Sequence, residues 1–332
     1  MRIFINGFGR IGRSVLRAFL QSPDRWPGLD VVGVNDIAAP EMCAYLFEFD
    51  SVFGPWRGSV SLEGGALVIN GRTIALHQVR DISTLDLRGV DLVMECTGRA
   101  DGREMAARGL RGGAARVLVS GPSEAADYTV VLGANEAGMD ASAHRILSNA
   151  SCTTNALAPL VALIDREWGV VTGSMTTIHC YTGSQPTVDA PAANFARSRA
   201  AAVSMVPTTT SAQRLLDHVL PELAGRIEGS AVRVPVVSVS AVDLAVMTQR
   251  PATVAAVNAA FRAATSVPGG VIGATDRALV STDLRARRES IVMACPETRI
   301  TQGGMLRVFG WYDNEWGFSN RMLDIASLLR AA

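Results

Sequence analysis

The chain has 332 residues, nearly half of them apolar, and balances 31 basic against 31 acidic side chains. Its length predicts two domains, and its even charge excludes a general nucleic-acid or membrane-surface binder, which would carry a basic excess. Five widely spaced cysteines without a CxxC (Cys43, Cys96, Cys152, Cys180 and Cys295) exclude a disulfide framework and a zinc site; no apolar run reaches the ~18 residues of a membrane span, and MRIFINGFGR is no leader, so a cytoplasmic protein without a metal is expected.

Arg2 to Asn6 is a short β-rich run, followed by Gly7-Phe-Gly-Arg-Ile-Gly12 and then by helical spacing from Arg13 to Leu20. A second apolar strand, Val31 to Val34, ends at Asn35-Asp36, and Asp36 stands 24 positions past Gly12. Together these form a βαβ unit with a dinucleotide fingerprint. Gly7, Gly9 and Gly12 allow a tight turn and close approach of backbone to a pyrophosphate, and the helix N-terminus offers amides to it. Asp36 would accept hydrogen bonds from a ribose diol and repel a 2′-phosphate, so NAD is expected over NADP. A glycine turn that exists for steric reasons alone is the competing reading; the flanking strand, helix and acid argue against it.

Ala66 to Ala75 reads as a hairpin around Asn70-Gly71. Two further strands, Asp91 to Cys96 and Arg116 to Ser120, are separated by a helix expected from Gly102 to Leu110. Their ends, Thr97-Gly98 and Ser120-Gly121, lie where cofactors bind such sheets. The expected first domain is thus a Rossmann-type α/β unit.

The pattern changes at Asn149-Ala-Ser-Cys-Thr-Thr-Asn155. An apolar run ends there and helical periodicity begins, with Ser151 or Asn149 as the cap and Pro159 as a kink. Cys152 then falls in a first helical turn, where the macrodipole favours a thiolate, with the Ser151 and Thr153 hydroxyls beside it. A buried small cysteine near a cap is the plainer alternative. A nucleophile needs a base, and the chain has four histidines. His179 ends a strand-like run, Gly173 to His179, facing a loop. His77 belongs to the hairpin sheet, His144 precedes a strand and is expected to be exposed, and His218 sits on the surface of an amphipathic helix. Arg233 lies in Ala231-Val-Arg-Val-Pro235, expected to start one long alternating strand running into Leu244. It is either a solvated edge residue or a side chain facing an anion.

GFGRIGR, SNASCTTN, TTIH, AVRVP and WYDNEWGFSN closely resemble the glyceraldehyde-3-phosphate dehydrogenase family, collinearly from Ile3 to about Leu328. The resemblance implies an NAD-binding domain over 1–151, an α+β catalytic domain with a mixed or antiparallel sheet over 152–315, and a C-terminal helix, 316–332, packing back on the first domain. It implies a glycolytic, phosphorylating oxidation of D-glyceraldehyde 3-phosphate. Cys152 would form a thiohemiacetal and then a thioester, His179 would be its base, and inorganic phosphate would release 1,3-bisphosphoglycerate. Ser151, Thr153, Thr210 and the Ser211 backbone match one anion pocket; Thr182, Arg197 and Arg233 match the remaining contacts. Arg10, Ile11, Asp36, Arg80, Ser120 and Asn314 match NAD contacts. The loop from Gly183 to about Val203 matches one that lines a neighbouring subunit's cofactor site, which implies a homotetramer.

Some positions depart from the family pattern. Ala156 replaces a second cysteine four residues after the nucleophile, Ser211 stands where glycine is common, and Pro186 and Ala196 stand where bases are frequent. Phe318 replaces a tyrosine, as it often does in the related erythrose-4-phosphate dehydrogenases, which are the alternative reading; Tyr181-Thr182-Gly183 favours the triose enzyme. A non-catalytic NAD- or RNA-binding scaffold would have lost the thiol or the base, and both are present.

Overall fold

The computed structural model describes residues 1–100 and 102–331. The chain divides into two compact units. The first holds Met1–Val130, Ala137–Ala150 and the chain from Ser319; the second holds Val131–Glu136 and Ser151–Phe318.

The strands of the first unit are β1 (Arg2–Asn6), β2 (Asp30–Asn35), β3 (Val60–Glu63), β4 (Ala66–Ile69), β5 (Arg72–His77), β6 (Leu92–Glu95), β7 (Arg116–Val119), β8 (Tyr128–Thr129) and β9 (Ile146–Ser148). Among the described residues they form one sheet in the order β3-β4-β5-β2-β1-β6-β7-β9-β8. The run from β5 to β8 is parallel, whereas β3, β4 and β5 pair antiparallel. Strands β1 and β6 read as nearly continuous apolar runs because both faces of a parallel sheet are covered. The β4–β5 hairpin turns at Asn70 and Gly71, φ 50 and 77, the doubly positive pair that an Asn-Gly turn supplies.

Helix α1 (Arg10–Gln21) follows the glycine turn and α2 (Pro40–Glu48) follows β2. The expected helix over 102–110 is two short ones, α3 (Arg103–Ala106) and α4 (Arg108–Arg111), which meet at Ala107, φ −80 and ψ 0. Gly109 lies so close to the sheet that a Cβ there would be 2.9 Å from Val93. Phe4, Val93, Val117 and Ile146 fill the core of this side.

The second unit is built on α5 (Cys152–Trp168), β10 (Val170–Cys180), β11 (Val206–Thr208), α6 (Ala212–Val219), β12 (Ile227–Val234), β13 (Ser240–Thr248), α7 (Val254–Thr265), β14 (Ile272–Thr275), β15 (Ile291–Ala294), β16 (Arg299–Ile300) and β17 (Leu306–Tyr312). Among the described residues its sheet runs β11-β12-β10-β13-β17-β15-β14, with β16 paired to β17. It is mixed: β10–β12 and β14–β15 are parallel and the other pairs antiparallel. The single long strand expected from Ala231 to Leu244 is two strands. Pro235 lacks the N–H a ladder needs, and the chain turns back through Val239, φ 34. Helix α8 (Trp316–Ala331) ends the described chain, and Ala332 of the expected 316–332 helix lies outside the described residues. Within the first unit, Trp26 Nε1 donates to Asp324 Oδ1 of α8 at 2.6 Å.

Arg17 joins α1 to the end of α2. It is 2% exposed. Its Nε and Nη2 donate to Phe47 O at 2.9 and 2.6 Å, Nη2 also to Glu48 O at 3.0 Å, and Nη1 to Gly54 O at 3.0 Å. The Phe47 and Glu48 carbonyls end α2, where a cation is favoured. Arg17→Met removes the side-chain donors from Phe47 O and Gly54 O, while Glu48 O keeps Trp56 N at 2.6 Å, and is expected to cost about 2–4 kcal/mol, read as a lower denaturant midpoint. An unchanged midpoint would mean that the carbonyls find other donors.

Candidate active site

The cofactor side lies in the first unit. Gly7 leaves β1 with φ 91, and a Cβ on Gly12 would sit 2.1 Å from Gly7 O. Helix and strand approach this closely only because neither residue has a side chain. Gly9 occupies the N-cap of α1, no side chain caps this end, and its first turn carries no acid, so its dipole is left for an anionic ligand. Ile11 is half-buried in that first turn, and Arg10 pairs with Asp50. Asp36 follows β2. Its Oδ2 accepts from Phe8 N at 2.7 Å and its Oδ1 from Ala38 N at 3.0 Å, and each oxygen retains a lone pair for a ribose hydroxyl. Ser120 follows β7 and donates its amide to Glu95 O at 2.9 Å; Arg80 is exposed, and its carbonyl accepts from Arg108 Nη1 at 3.3 Å. A turn that excludes a Cβ at Gly7 and Gly12, an uncapped helix end and a carboxylate with lone pairs to spare beside the turn fit NAD. Asn314 belongs to the second unit, where its Oδ1 accepts from Cys180 Sγ at 3.1 Å.

The thiol lies in the second unit. Ser151 caps α5, its Oγ accepting from Thr154 N at 3.1 Å and lying 2.7 Å from Thr154 Oγ1. That cap places Cys152 at the first helical position. Its Sγ is 3.6 Å from His179 Nε2. On the far side of the ring, Nδ1 is 2.7 Å from Cys180 O. Nδ1 faces two groups of opposite demand, the Cys180 carbonyl, which only accepts, and Arg233 Nη1, which only donates; the tautomer with its proton on Nδ1 is the one that leaves Nε2 free to accept from the thiol. The parallel register pairs His179 with Arg233. Arg233 Nη1 donates to the same carbonyl at 3.0 Å and lies 2.9 Å from Nδ1.

Burial, reinforced by the Arg233 charge, pushes His179 down to about 4. Burial pushes the Cys152 thiol up, while Arg233 and Thr153 pull it back. The thiolate expected from the helix dipole is therefore opposed by desolvation, and each partner separately favours its uncharged form. Beneath the pair, Tyr312 OH bonds Thr153 Oγ1 and Thr177 Oγ1, each at 2.8 Å, and its ring stands edge-on to His179 at 6.0 Å. The Thr153 hydroxyl is thus engaged below the site and that of Ser151 in the cap.

The remaining anion candidates have local partners. Thr182 Oγ1 lies 3.0 Å from Ser184 Oγ, and half-buried Arg197 donates its amide to Asn194 Oδ1 at 3.2 Å. Thr210 Oγ1 accepts from Ala212 N at 3.1 Å, and exposed Ser211 is the N-cap of α6. Ala156 is fully buried one turn after Cys152. His144, expected to be exposed, is half-buried and stacks on Tyr128 at 5.0 Å. Sequence reasoning did not single out Tyr312 and Thr177, although each had a signal: Tyr312 lies in the WYDNEWGFSN run, and Thr177 shares a strand face with His179 two residues on.

A dinucleotide cradle in one unit and a thiol–imidazole pair in the other define an NAD-dependent oxidoreductase. Residues 1–103 match the glyceraldehyde 3-phosphate dehydrogenase NAD-binding domain, and residues 151–314 match the C-terminal domain of the same family. Glyceraldehyde-3-phosphate dehydrogenases are similar along nearly their whole length. The Xanthobacter flavus protein is 44% identical over 98% of this chain and 97% of its own, that of Geobacillus stearothermophilus 42% over 99% and 98%, and that of Pseudomonas aeruginosa 45% over 100% and 99%. The chain belongs to the glyceraldehyde-3-phosphate dehydrogenase family, and its cofactor is NAD.

Removing the Arg233 charge destabilises the Cys152 thiolate. Arg233→Leu is expected to move the pH of half-maximal Cys152 alkylation by iodoacetamide upward, with Cys152→Ser as the blank. A superimposable pH profile would show that the guanidinium does not act on the thiol.

Proposed function

We propose that the protein catalyses the NAD-dependent, phosphorylating oxidation of D-glyceraldehyde 3-phosphate to 1,3-bisphosphoglycerate, with Cys152 as nucleophile and His179 as base. The observation that carries this reading is the 3.6 Å approach of Sγ to Nε2, with Nδ1 held by the Cys180 carbonyl. His179 Nε2 takes the thiol proton as Sγ attacks the aldehyde carbon, giving a thiohemiacetal. Its new Nε2–H and the Cys152 amide then face the oxygen of that adduct. NAD, when bound, supplies the acceptor for the hydride that leaves the carbon. The Cys152 thioester is attacked by inorganic phosphate, which releases the acyl phosphate and returns the thiol.

Arg233, already against His179, is the charged anchor for an anion, with its Nε buried and unpartnered. Thr182, Arg197, Thr210, Ser211, Ser151 and Thr153 complete the anion contacts in this reading, and Arg80 and Asn314 complete those to the cofactor. Asp36 selects NAD against NADP by charge. The assembly is a homotetramer in the cytoplasm, acting on small molecules and not on nucleic acid or membranes. Support for self-association comes from the 183–203 loop and the residues just after it, where Phe195, Val203 and Met205 are 94%, 80% and 75% exposed. No helix among the described residues is long and apolar enough to cross a membrane.

NAD reduction is to be followed with D-glyceraldehyde 3-phosphate or D-erythrose 4-phosphate, each with and without phosphate. Fast, phosphate-dependent turnover of the triose is expected. A preference for the tetrose without a need for phosphate would assign erythrose-4-phosphate dehydrogenase activity instead. Cys152→Ser should abolish turnover, and His179→Asn should lower kcat by about 10²–10⁴-fold; a His179→Asn enzyme as fast as wild type would remove the histidine from the mechanism. Asp36→Gly should relax the NAD/NADP ratio of kcat/KM, and an unchanged ratio would place the discrimination elsewhere.

A further inference from the structure

We infer that Glu95, at the end of β6, is a positioning residue for the cofactor turn, acting through a one-way hydrogen-bond relay across three strand ends. Glu95, Asn6 and Asn35 are 4%, 6% and 4% exposed. Asn6 Nδ2 donates to Glu95 Oε2 at 2.5 Å, and Asn35 Nδ2 donates to Asn6 Oδ1 at 2.8 Å. Asn35 is in turn clamped by one backbone residue: its Nδ2 donates to Val79 O at 3.0 Å, and its Oδ1 accepts from Val79 N at 2.9 Å. On the other side, Glu95 Oε1 accepts from Thr97 N at 3.0 Å and from the Thr97 hydroxyl.

The direction of this relay is fixed at both ends. A peptide N–H cannot accept and a peptide C=O cannot donate, so Val79 prevents Asn35 from turning over. Asn6 must therefore offer its oxygen to Asn35 and its NH2 to position 95. Position 95 thus meets donors from both neighbours, Asn6 and Thr97 N, and needs a side chain that only accepts. A carboxylate is such a group and an amide is not.

The relay lies under the cofactor turn. Gly7 follows Asn6, and its amide donates to Asn35 O at 2.8 Å, while Cys96 N donates to Asn6 O at 2.6 Å. A Cβ on Gly7 would lie 2.7 Å from Cys96 C and Thr97 N, so the turn rests directly on the peptide after Glu95. Asp36 follows Asn35 and holds Phe8 N inside the turn. A rotation of Asn6 or Asn35 therefore moves the glycine turn and the ribose carboxylate together. The inference rests on NAD binding by this domain and is independent of which aldehyde is oxidised.

Glu95→Gln has nearly the same shape but forces one donor against another. It is expected to raise the Kd for NAD, measured by titration calorimetry on the full-length protein, by about tenfold. Adding Asn6→Asp restores the parity. The NH2 of the new amide at position 95 donates to the new carboxylate at position 6, which still accepts from Asn35, and the oxygen of that amide still accepts from Thr97 N. The double variant is expected to bind NAD within about threefold of wild type, although Asn6→Asp alone sets two carboxylates together and should bind worse than wild type. A Glu95→Gln protein that melts earlier but binds NAD unchanged would make the relay merely structural and overturn the inference. So would a double variant that binds no better than Glu95→Gln. If Glu95→Gln is too unstable to titrate, the double variant is compared with wild type directly, and its failure to fold or bind counts against the relay.

Discussion

The hydrogen bond between His179 Nδ1 and the Cys180 carbonyl decides what the catalytic unit can do. With the proton on Nδ1, it turns the Nε2 lone pair toward Cys152. The acceptor belongs to the next residue, so the contact is as rigid as the strand that carries it. The β10–β12 register places Arg233 against the same carbonyl, so one oxygen organises both the base and the cation beside it. The cost is electrostatic: a buried imidazole next to a guanidinium is a weaker base than a free one. It remains neutral over a wide pH range as a result.

The two units handle charge in opposite ways. The cofactor unit prepares for an anion with backbone, through a helix end that no side chain caps and glycines that let amides come close. The catalytic unit prepares for chemistry by enclosing its groups. Tyr312, Thr153 and Thr177 satisfy one another under the reacting pair, so the floor of the site carries no unpaired hydroxyl from these three residues. A buried polar network completed in this way stiffens its surroundings, which suits a thiol that must meet its base at one distance.

Local features were legible in the sequence. The βαβ unit, the Asn70-Gly71 hairpin and the helix beginning at Cys152 each follow from residues within a few positions of one another. Breaks within an element were harder to see. The alternation of Ala231 to Leu244 masks the missing amide of Pro235, and the 102–110 helix bends at Ala107, where no proline or glycine marks the break. Contacts distant in sequence left no signal. Asn6 and Glu95 are 89 residues apart, and Thr153 and Tyr312 are 159 apart. Periodicity cannot join them, and only the sheet order brings the first pair side by side. The burial that opposes the Cys152 thiolate left no signal for a related reason: first-turn placement is local, whereas burial depends on the whole unit.

Arg17 has a consequence for how the cofactor unit meets acid. Most surface joints here are arginine–carboxylate pairs, such as Arg103 with Asp127, and acid loosens such a joint once the carboxylate takes a proton. Arg17 is held by the carbonyls of Phe47, Glu48 and Gly54, which have no proton to take in that range. The carbonyl clasp on Arg17 is therefore a pH-indifferent fastening, whereas the Arg10–Asp50 pair beside it is not, so acid should release the Asp50 side of this seam before the Arg17 side.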